Sequence, residues 1–576
     1  MNMHHLPRTA LAMALGLVLA ACGGGDSDSA PPLPATPTTP TTPPVTPPVT
    51  PPTPVTPTTP PVTPPPAAST GLQAACSGAF CGAASNSSYS GAGVGVWNYS
   101  NTSAQTVRLP VSLSQLGQRS LTLVYSNPNA PGVQMPTLTL TPKAGTSTRQ
   151  ALQGDDAQEH GNQIPAAVRD FRPAEHLRTG AAAVQAAQTP RAAAARGSER
   201  SWFISLDEGM QARTATLQRQ ATFADGRVIN LWLENTETGS SKVTDAILDT
   251  LLDRFARPQY SVYGMVTGLA GQPWGTYGNY TDLITSSQPI DIVLVNFIPD
   301  GKPYGLMGYF HSLNNFKKNP AHDQLKYSNE SLSFYIDTET LYLDKTKGMD
   351  AQVGTLAHEF IHMINFYQRS VLKGPRYAFD TFLDEMSAVM IEDILSEKLT
   401  PGSNSARDGL VPRWLNRSTF NCDPTNWGIG DTCFGYNVVG AYGAYLLRQY
   451  GVGFYQQLLK DTSSSDSWTV LDHAITQAGG PGLAGTLPRW GSSIALLPAA
   501  ASPQGFGYPQ RQDASGYTLV GIDGPALAAA RQLPTQVPST LVGHGHFPFT
   551  RQSDAQGNYQ EQLDVPPGIT LTVVVQ

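Results

Sequence analysis

The chain has 576 residues, among them 48 prolines and 54 glycines, with a formal net charge of −7 at pH 7. That length exceeds one hydrophobic core and asks for several domains. The modest acidic balance, with no basic run, argues against a nucleic-acid partner.

The N-terminus reads as a targeting segment. Met1–Arg8 carries two histidines and one arginine, residues 9–21 are apolar, and Leu19-Ala20-Ala21-Cys22 matches a bacterial lipoprotein cleavage box. Residues 1–21 are therefore expected to be removed, leaving Cys22 acylated at its sulfur and amine. An ordinary secretory signal with a fortuitous cysteine is the alternative. Residues 22–69 form a Pro/Thr-rich tether with near-repeats such as Thr42-Pro-Pro-Val45 and Thr46-Pro-Pro-Val49. This composition cannot bury a core and favours extended polyproline II, at about 3.1 Å per residue. The expected location is the bacterial cell envelope, lipid-anchored at the outer membrane or surface, with extracellular release as the alternative. The membrane would be met only through the N-terminal lipid, since no second spanning candidate appears.

Four further cysteines fall into two close pairs, which predicts bridges Cys76–Cys81 and Cys422–Cys433. An exported protein lives where such bridges persist. Residues 70–145 alternate short β-like runs (93–97, 107–111, 121–125) with Asn, Ser, Gly and Pro clusters, the pattern of a small β domain. Residues 146–200, rich in Ala, Gln and Arg, read as a linker and a plausible cleavage zone.

Residues 201–500 carry the catalytic pattern. A hairpin is predicted over 221–234 around Asp225-Gly226, a helix over 243–256, and strands over 290–298, 304–310 and 332–337. A helix follows in which Val353, Leu356, Ala357, Phe360, Ile361 and Ile364 recur at three- and four-residue steps, with Asp350 near its start. On it lies His358-Glu359-Phe360-Ile361-His362, the H-E-x-x-H signature. Two histidines four apart share one helix face and can reach one metal ion, normally Zn2+. The adjacent glutamate can take a proton from the metal's water. By chance the pentapeptide arises in a chain of this length about one time in a hundred.

A catalytic zinc needs a third protein ligand. The metzincin continuation is excluded, because Asn365 and Gln368 stand where Gly and His are required. A second helix over 381–395 has the apolar stripe Phe382, Leu383, Met386, Val389, Met390 and Ile394. Glu385 borders that stripe and can face a partner helix. Asp384, pointing away as a solvated group or one standing behind a ligand, Glu392, two turns on, and Asp393, within the stripe, are the competing carboxylates. Asp393 could orient a metal-bound imidazole or serve a structural hydrogen bond.

Leu383-Asp384-Glu385-Met386-Ser387-Ala388 resembles the L-[ND]-E-x-x-A signature of gluzincins. Together with His358–Phe366, it is similar to the hyicolysin family of neutral metallopeptidases, over about residues 200–576. The resemblance implies one catalytic Zn2+ held by His358, His362 and Glu385, with Glu359 as general base. It also implies an edge strand, for which 304–310 is the candidate, that pairs with an extended substrate. Tyr436-Asn-Val-Val-Gly440-Ala441 is similar, one residue out of register, to the Y-x-x-G-A segment carrying an oxyanion-stabilising tyrosine in gluzincin aminopeptidases. Tyr377 and His473 compete for that role.

From Glu385 to about residue 480 the chain reads as helical, with a helix over 438–450 stopped by Gly451. From about 502 it returns to β, at 506–508, 517–520 and 569–574, so that 501–576 forms a C-terminal β domain. The expected fold class is α+β: a zincin catalytic domain (mixed sheet plus active-site helix, then a helical subdomain) flanked by β-sandwich-like accessory domains. The expected function is a lipid-anchored zinc endopeptidase acting on protein or peptide substrates, as a monomer. The alternatives are a non-catalytic surface adhesin or binding protein on the same scaffold, and an aminopeptidase.

Overall fold

The computed structural model describes residues 71–140, 164–180, 194–427 and 433–576. The chain divides into Met1–Pro66 and a unit Ala67–Gln576. The signal segment, the tether and Cys22 lie outside the described residues.

In chain order, the N-terminal strands are β1 (Gly95–Ser100), β2 (Val107–Leu113) and β3 (Ser120–Ser126). The catalytic half contributes β4 (Glu199–Leu206), β5 (Gly209–Thr222), β6 (Val228–Glu234), β7 (Ile290–Val295), β8 (Gly308–Phe310) and β9 (Leu332–Asp337). Its helices include α1 (Asp245–Ala256), α2 (Val262–Ala270), α3 (Gly348–Asn365), α4 (Thr381–Leu399), α5 (Gly435–Lys460), α6 (Ser467–Gln477) and α7 (Gly482–Gly491). The chain ends in β10 (His546–Gln552), β11 (Tyr559–Val565) and β12 (Thr570–Val575).

The catalytic half is a six-stranded mixed sheet in the order β8-β9-β7-β6-β5-β4. Its centre is parallel, β6 with β7 and β7 with β9, and the other pairings are antiparallel. Every residue of β7 and β9 is buried, as expected where both faces of a sheet are covered. One face packs on α1, α3 and their neighbours through Ile229, Ile292, Phe334, Leu356 and Phe360. The other holds Trp202, Trp232, Val293, Tyr309 and Tyr335. Buried Asp291 at the centre accepts hydrogen bonds from Asn230 and Trp232, both at 2.8 Å, and from Ser331 at 2.5 Å. A carboxylate there is tolerable only with such partners.

Helix α3 leaves the sheet edge and runs against β8, β9 and α4. It starts at Gly348, where a Cβ would come within 2.0 Å of the Thr340 carbonyl oxygen, so only glycine lets the helix begin so close to the preceding turn. Asp350 thus lies in the first turn, not at the cap. The hairpin turns at Gly226 with φ +84°. Gly451 interrupts α5 with φ +80°, but the helix resumes beyond it, so the residue kinks rather than stops it.

The two ends of the chain correct the expected domain plan. β12 pairs antiparallel with β1 on one edge and with β3 on the other. The resulting sheet runs Gln73–Ala74, β1, β12, β3, β10, and the β2–β11 ribbon packs over it. Residues 71–140 and 540–576 therefore build one β body, not two flanking domains. Local alternation reveals a strand but not a partner 470 residues away. The sheet's back, through Val96 and Val574, packs on Ala495, Leu497 and Phe506 of the helical part. Much of 502–540 is not strand: Tyr508, Leu519 and Ile522 belong to the catalytic core. Cys76–Cys81 and Cys422–Cys433 are both bonded, each bridge local. No helix among the described residues is long and apolar enough to cross a membrane.

Candidate metal centre and substrate cleft

The H-E-x-x-H spacing puts His358 and His362 on the face of α3 turned toward α4. Glu385 of α4 lies between them, its Oε2 being 3.1 Å from His358 Nε2 and 3.5 Å from His362 Nε2. All three residues are buried, and their ligand atoms lie within 4.8 Å of one another. Each imidazole is also held from behind. His358 Nδ1 donates to Glu392 Oε1 at 2.7 Å, and His362 Nδ1 donates to Asp384 Oδ2 at 2.8 Å. Asn365 Nδ2 donates to the other oxygen of Asp384 at 2.7 Å and to Ser387 Oγ at 2.9 Å. With Nδ1 carrying the proton, both Nε2 lone pairs point to one place, the arrangement that outer carboxylates give metal-ligating histidines.

The electrostatics fit a cation. Four carboxylates, Glu359, Asp384, Glu385 and Glu392, surround two imidazoles. Burial opposes charge on His358, yet hydrogen bonds to Glu385 and Glu392 win and hold it at about 10. For His362, burial is likewise outweighed by Asp384 and Glu385. Glu385 is held well below the usual carboxylate range, because the two histidines outweigh its burial. A divalent ion among these three ligand atoms would meet the same negative field that favours positive charge on the imidazoles. Two nitrogens and one carboxylate oxygen are a zinc-type donor set.

Glu359 projects beside this trio. Burial pushes its carboxyl up to about 7, partly offset by the two histidines, and it accepts a hydrogen bond from the Phe310 backbone N–H. Strand β8 comes this close because of Gly308, where a Cβ would lie 2.8 Å from Thr355 Cγ2 and 3.2 Å from Glu359 Cγ.

Of the three candidates for an additional donor, Tyr436 alone lies at the trio. It hydrogen-bonds Glu385, and its ring is 6.1 Å from that of His358. Burial and the negative charges of Glu385 and Glu359 raise its pKa far above the ordinary phenol value, so the hydroxyl keeps its proton. Tyr377 instead meets Arg376 Nη2 at 2.6 Å, and His473 meets Asp461 at 2.6 Å. Asp393 is structural: buried Arg448 holds it at 2.6 Å, and Asn404 donates to it at 2.7 Å.

Sequence reasoning missed two contributors and left the partner of a third open. Asp384, read as either a solvated group or one standing behind a ligand, grips His362, because helix neighbours fan out by about 100° and each can meet a different histidine. Glu392 was set aside by distance from Glu385, yet its two-turn offset returns it to the same face, behind His358. Trp427 packs edge-on against Tyr436, with centroids 4.9 Å apart. Its ring leaves no room for a Cβ at Gly435, which would come within 2.9 Å. The Gly435-Tyr436 step at the start of α5 was the only sequence signal for that contact.

The trio opens into a cavity of about 640 Å³, lined by β8, the loop 375–382 and residues 164–174. Among the described residues, strand β8 is the sheet's edge, pairing only with β9, and so narrows the expected 304–310 strand to Gly308–Phe310.

Residues 74–140 match a domain of unknown function, DUF8571. No curated protein matches the chain. Among solved structures, the aminopeptidase A of Legionella pneumophila, in complex with aspartic acid, is 12% identical over 51% of this chain and 32% of that one, with a TM-score of 0.29. The match thus spans about a third of the aminopeptidase, and at that score it carries no argument about fold or activity. Residues 209–576, well over half of the chain and including both site helices, match the family Peptidase M30. The chain therefore belongs to the peptidase M30 family of metallopeptidases.

Proposed function

We propose that the chain is a zinc-dependent endopeptidase, exported and anchored to the bacterial envelope by lipid on Cys22. The observation that carries the catalytic part is the convergence of His358 and His362 Nε2 on Glu385, with Glu359 beside them. A divalent cation held there, zinc on this reading, supplies Lewis-acid polarisation and acidifies water. Glu359 takes the proton from the attacking water and passes it to the leaving amine. The Tyr436 hydroxyl donates a hydrogen bond to the oxyanion as it develops. Glu392 and Asp384 fix the two imidazoles so that neither ring turns when charge moves nearby. An extended substrate pairs with the free edge of β8, which reads backbone and lets a chain pass the site without presenting a terminus. The anchor rests on the Leu19–Cys22 box followed by a segment that cannot fold.

Elemental analysis and casein hydrolysis test the catalytic reading. The purified chain should carry about one zinc, and a chelator should block its proteolysis. Glu359→Gln should keep the metal and lose activity by about 10²–10⁴-fold. A zinc-loaded parent inert on every protein and peptide substrate would favour a binding role instead. Membrane fractionation after lipid labelling tests the anchor, since Cys22→Ser should remove the label.

A further inference from the structure

One wall of the cavity comes from Ile164–Ala174, part of a segment, 164–180, that belongs to neither matched family region. It is docked on the catalytic half, not merely passing over it. Phe171 is buried at 5% exposure, stacked on His176 at 4.8 Å and edge-on to His311 at 5.4 Å and Phe316 at 5.9 Å. At its far end, Gly180 N–H donates to the Asn279 carbonyl at 3.0 Å, and Thr281 N–H donates to the Arg178 carbonyl at 3.1 Å. The turn 173–175 then lies against the turn 375–377. That contact brings Arg172 and Arg376 to the same rim, and both line the cavity that holds Glu359 and His362.

These two guanidiniums keep most of their donors. Arg172 spends Nη1 on the Arg169 carbonyl at 2.8 Å, and Arg376 spends Nη2 on the Tyr377 hydroxyl at 2.6 Å. Among the described residues neither forms a salt bridge. Arg169, by contrast, is held by both oxygens of Asp170, at 2.9 and 3.0 Å. Asp380 on the rim and Glu175 on the turn 173–175 are further exposed carboxylates. Neither Glu175 nor Asp380 bonds Arg172 or Arg376 among the described residues, so both guanidiniums keep donors for an incoming group, while the carboxylates deeper in the cavity lie against the histidines. A guanidinium with a free planar edge is built to receive a carboxylate.

We infer that Ile164–Ala174 is the specificity wall of the cleft and that Arg172 and Arg376 bind a substrate carboxylate. The inference rests on the peptidase reading above. The carboxylate belongs either to an acidic side chain near the scissile bond or to a free C-terminus.

The test uses the full, metal-loaded chain and internally quenched peptides on one scaffold. One arm scans Glu, Gln and Lys along the peptide; the other compares free and amidated C-termini. The parent should cleave the best Glu peptide, or the free-acid peptide, about five- to ten-fold faster in kcat/KM than its neutral partner, the range expected of two partly exposed charge contacts. In R172Q/R376Q that ratio should fall to about one, and R172E/R376E should favour the Lys peptide. Phe171→Ala, which undocks the wall without touching a charge, should lower the same ratio. A response in the Glu arm assigns a side-chain site, and a response in the amidation arm assigns a terminal one. A parent ratio of one in both arms, or a ratio unmoved in both arginine variants, would overturn the inference. A metal-loaded parent that cleaves no peptide would instead overturn the peptidase reading, and this inference with it.

Discussion

The metal centre and the β body are assembled over opposite chain distances. His358, His362, Asp384, Glu385 and Glu392 all fall within two helices separated by one short connection. The β body joins strands from 95–126 to strands from 546–575, with the whole catalytic half strung between them. The centre therefore depends on individual atoms at the end of a local frame. The body depends on many interchangeable apolar contacts that close a very long loop. Single substitutions should destroy the first and barely mark the second, while loss of a segment should do the reverse.

The largest effect is expected at the centre. His358→Ala, His362→Ala and Glu385→Ala should each abolish metal binding and hydrolysis while leaving a folded chain, because each removes one of three protein ligands. Elemental analysis with circular dichroism checks this. Zinc retained at parental content in Glu385→Ala would remove that residue from the ligand set.

Next comes the body. Val96, Trp97, Leu121, Leu123 and Tyr125 are all at 0% exposure, and all come from the N-terminal segment. Their burial contributes on the order of 10 kcal/mol, comparable to the whole stability of a typical domain. A chain lacking residues 71–140 should therefore fail to fold, since β12 would lose both neighbours. A protease site inserted after Ala144 should, once cut, give two fragments that co-elute until denaturant is added. No disulfide joins them, because both bridges are local. Separation in native buffer would show that the N-terminal segment is removable, as a propeptide would be.

The same contrast decides what could be read from residues alone. The H-E-x-x-H helix was legible because its period and its chemistry coincide, and Glu385 because it borders an apolar stripe on the next helix. The strands at 121–125 and 569–574 were legible as strands, from alternation and apolar runs. Their partnership was not, because nothing in a strand's own sequence names a neighbour several hundred residues away. The grips of Glu392 on His358 and Asp384 on His362 needed the rotation of α4 about its axis, which tertiary packing sets.

Those grips should matter less than the ligands they hold. Glu392→Gln and Asp384→Asn keep the shape but weaken the acceptor behind each imidazole. Each should weaken metal affinity by about 10- to 100-fold, with activity recoverable at high zinc. Titration against a competing chelator measures it. Affinity equal to the parent's in both would mean the carboxylates only pack there.

The smallest effect joins the two regions. His311, near β8, and His546, on β10, are both fully buried, and burial pulls each down to about 3. His546 offers only Nδ1 to a partner, Ser126 Oγ at 2.9 Å, and its Nε2 is buried without one. His311 is held alike, by Ser205 Oγ at 3.2 Å, with its Nε2 also bare. In the unfolded chain both titrate near 6.5. Between pH 3 and 6.5 the unfolded state therefore binds more protons, so stability is present above pH 6.5 and is lost as the pH falls. From pH 6.5 to 5, a window in which ordinary carboxylates scarcely titrate, each histidine should cost about 1.5 kcal/mol. The measurement needs the metal-loaded chain, in which His358 and His362 do not titrate. If the β body and the catalytic half unfold as one, His546→Gln should lower the pH slope of a single thermal transition by that histidine's own share, about 1.5 kcal/mol between pH 6.5 and 5. Two transitions, with only one of them responding to His546→Gln, would show that the body melts independently of the site it adjoins.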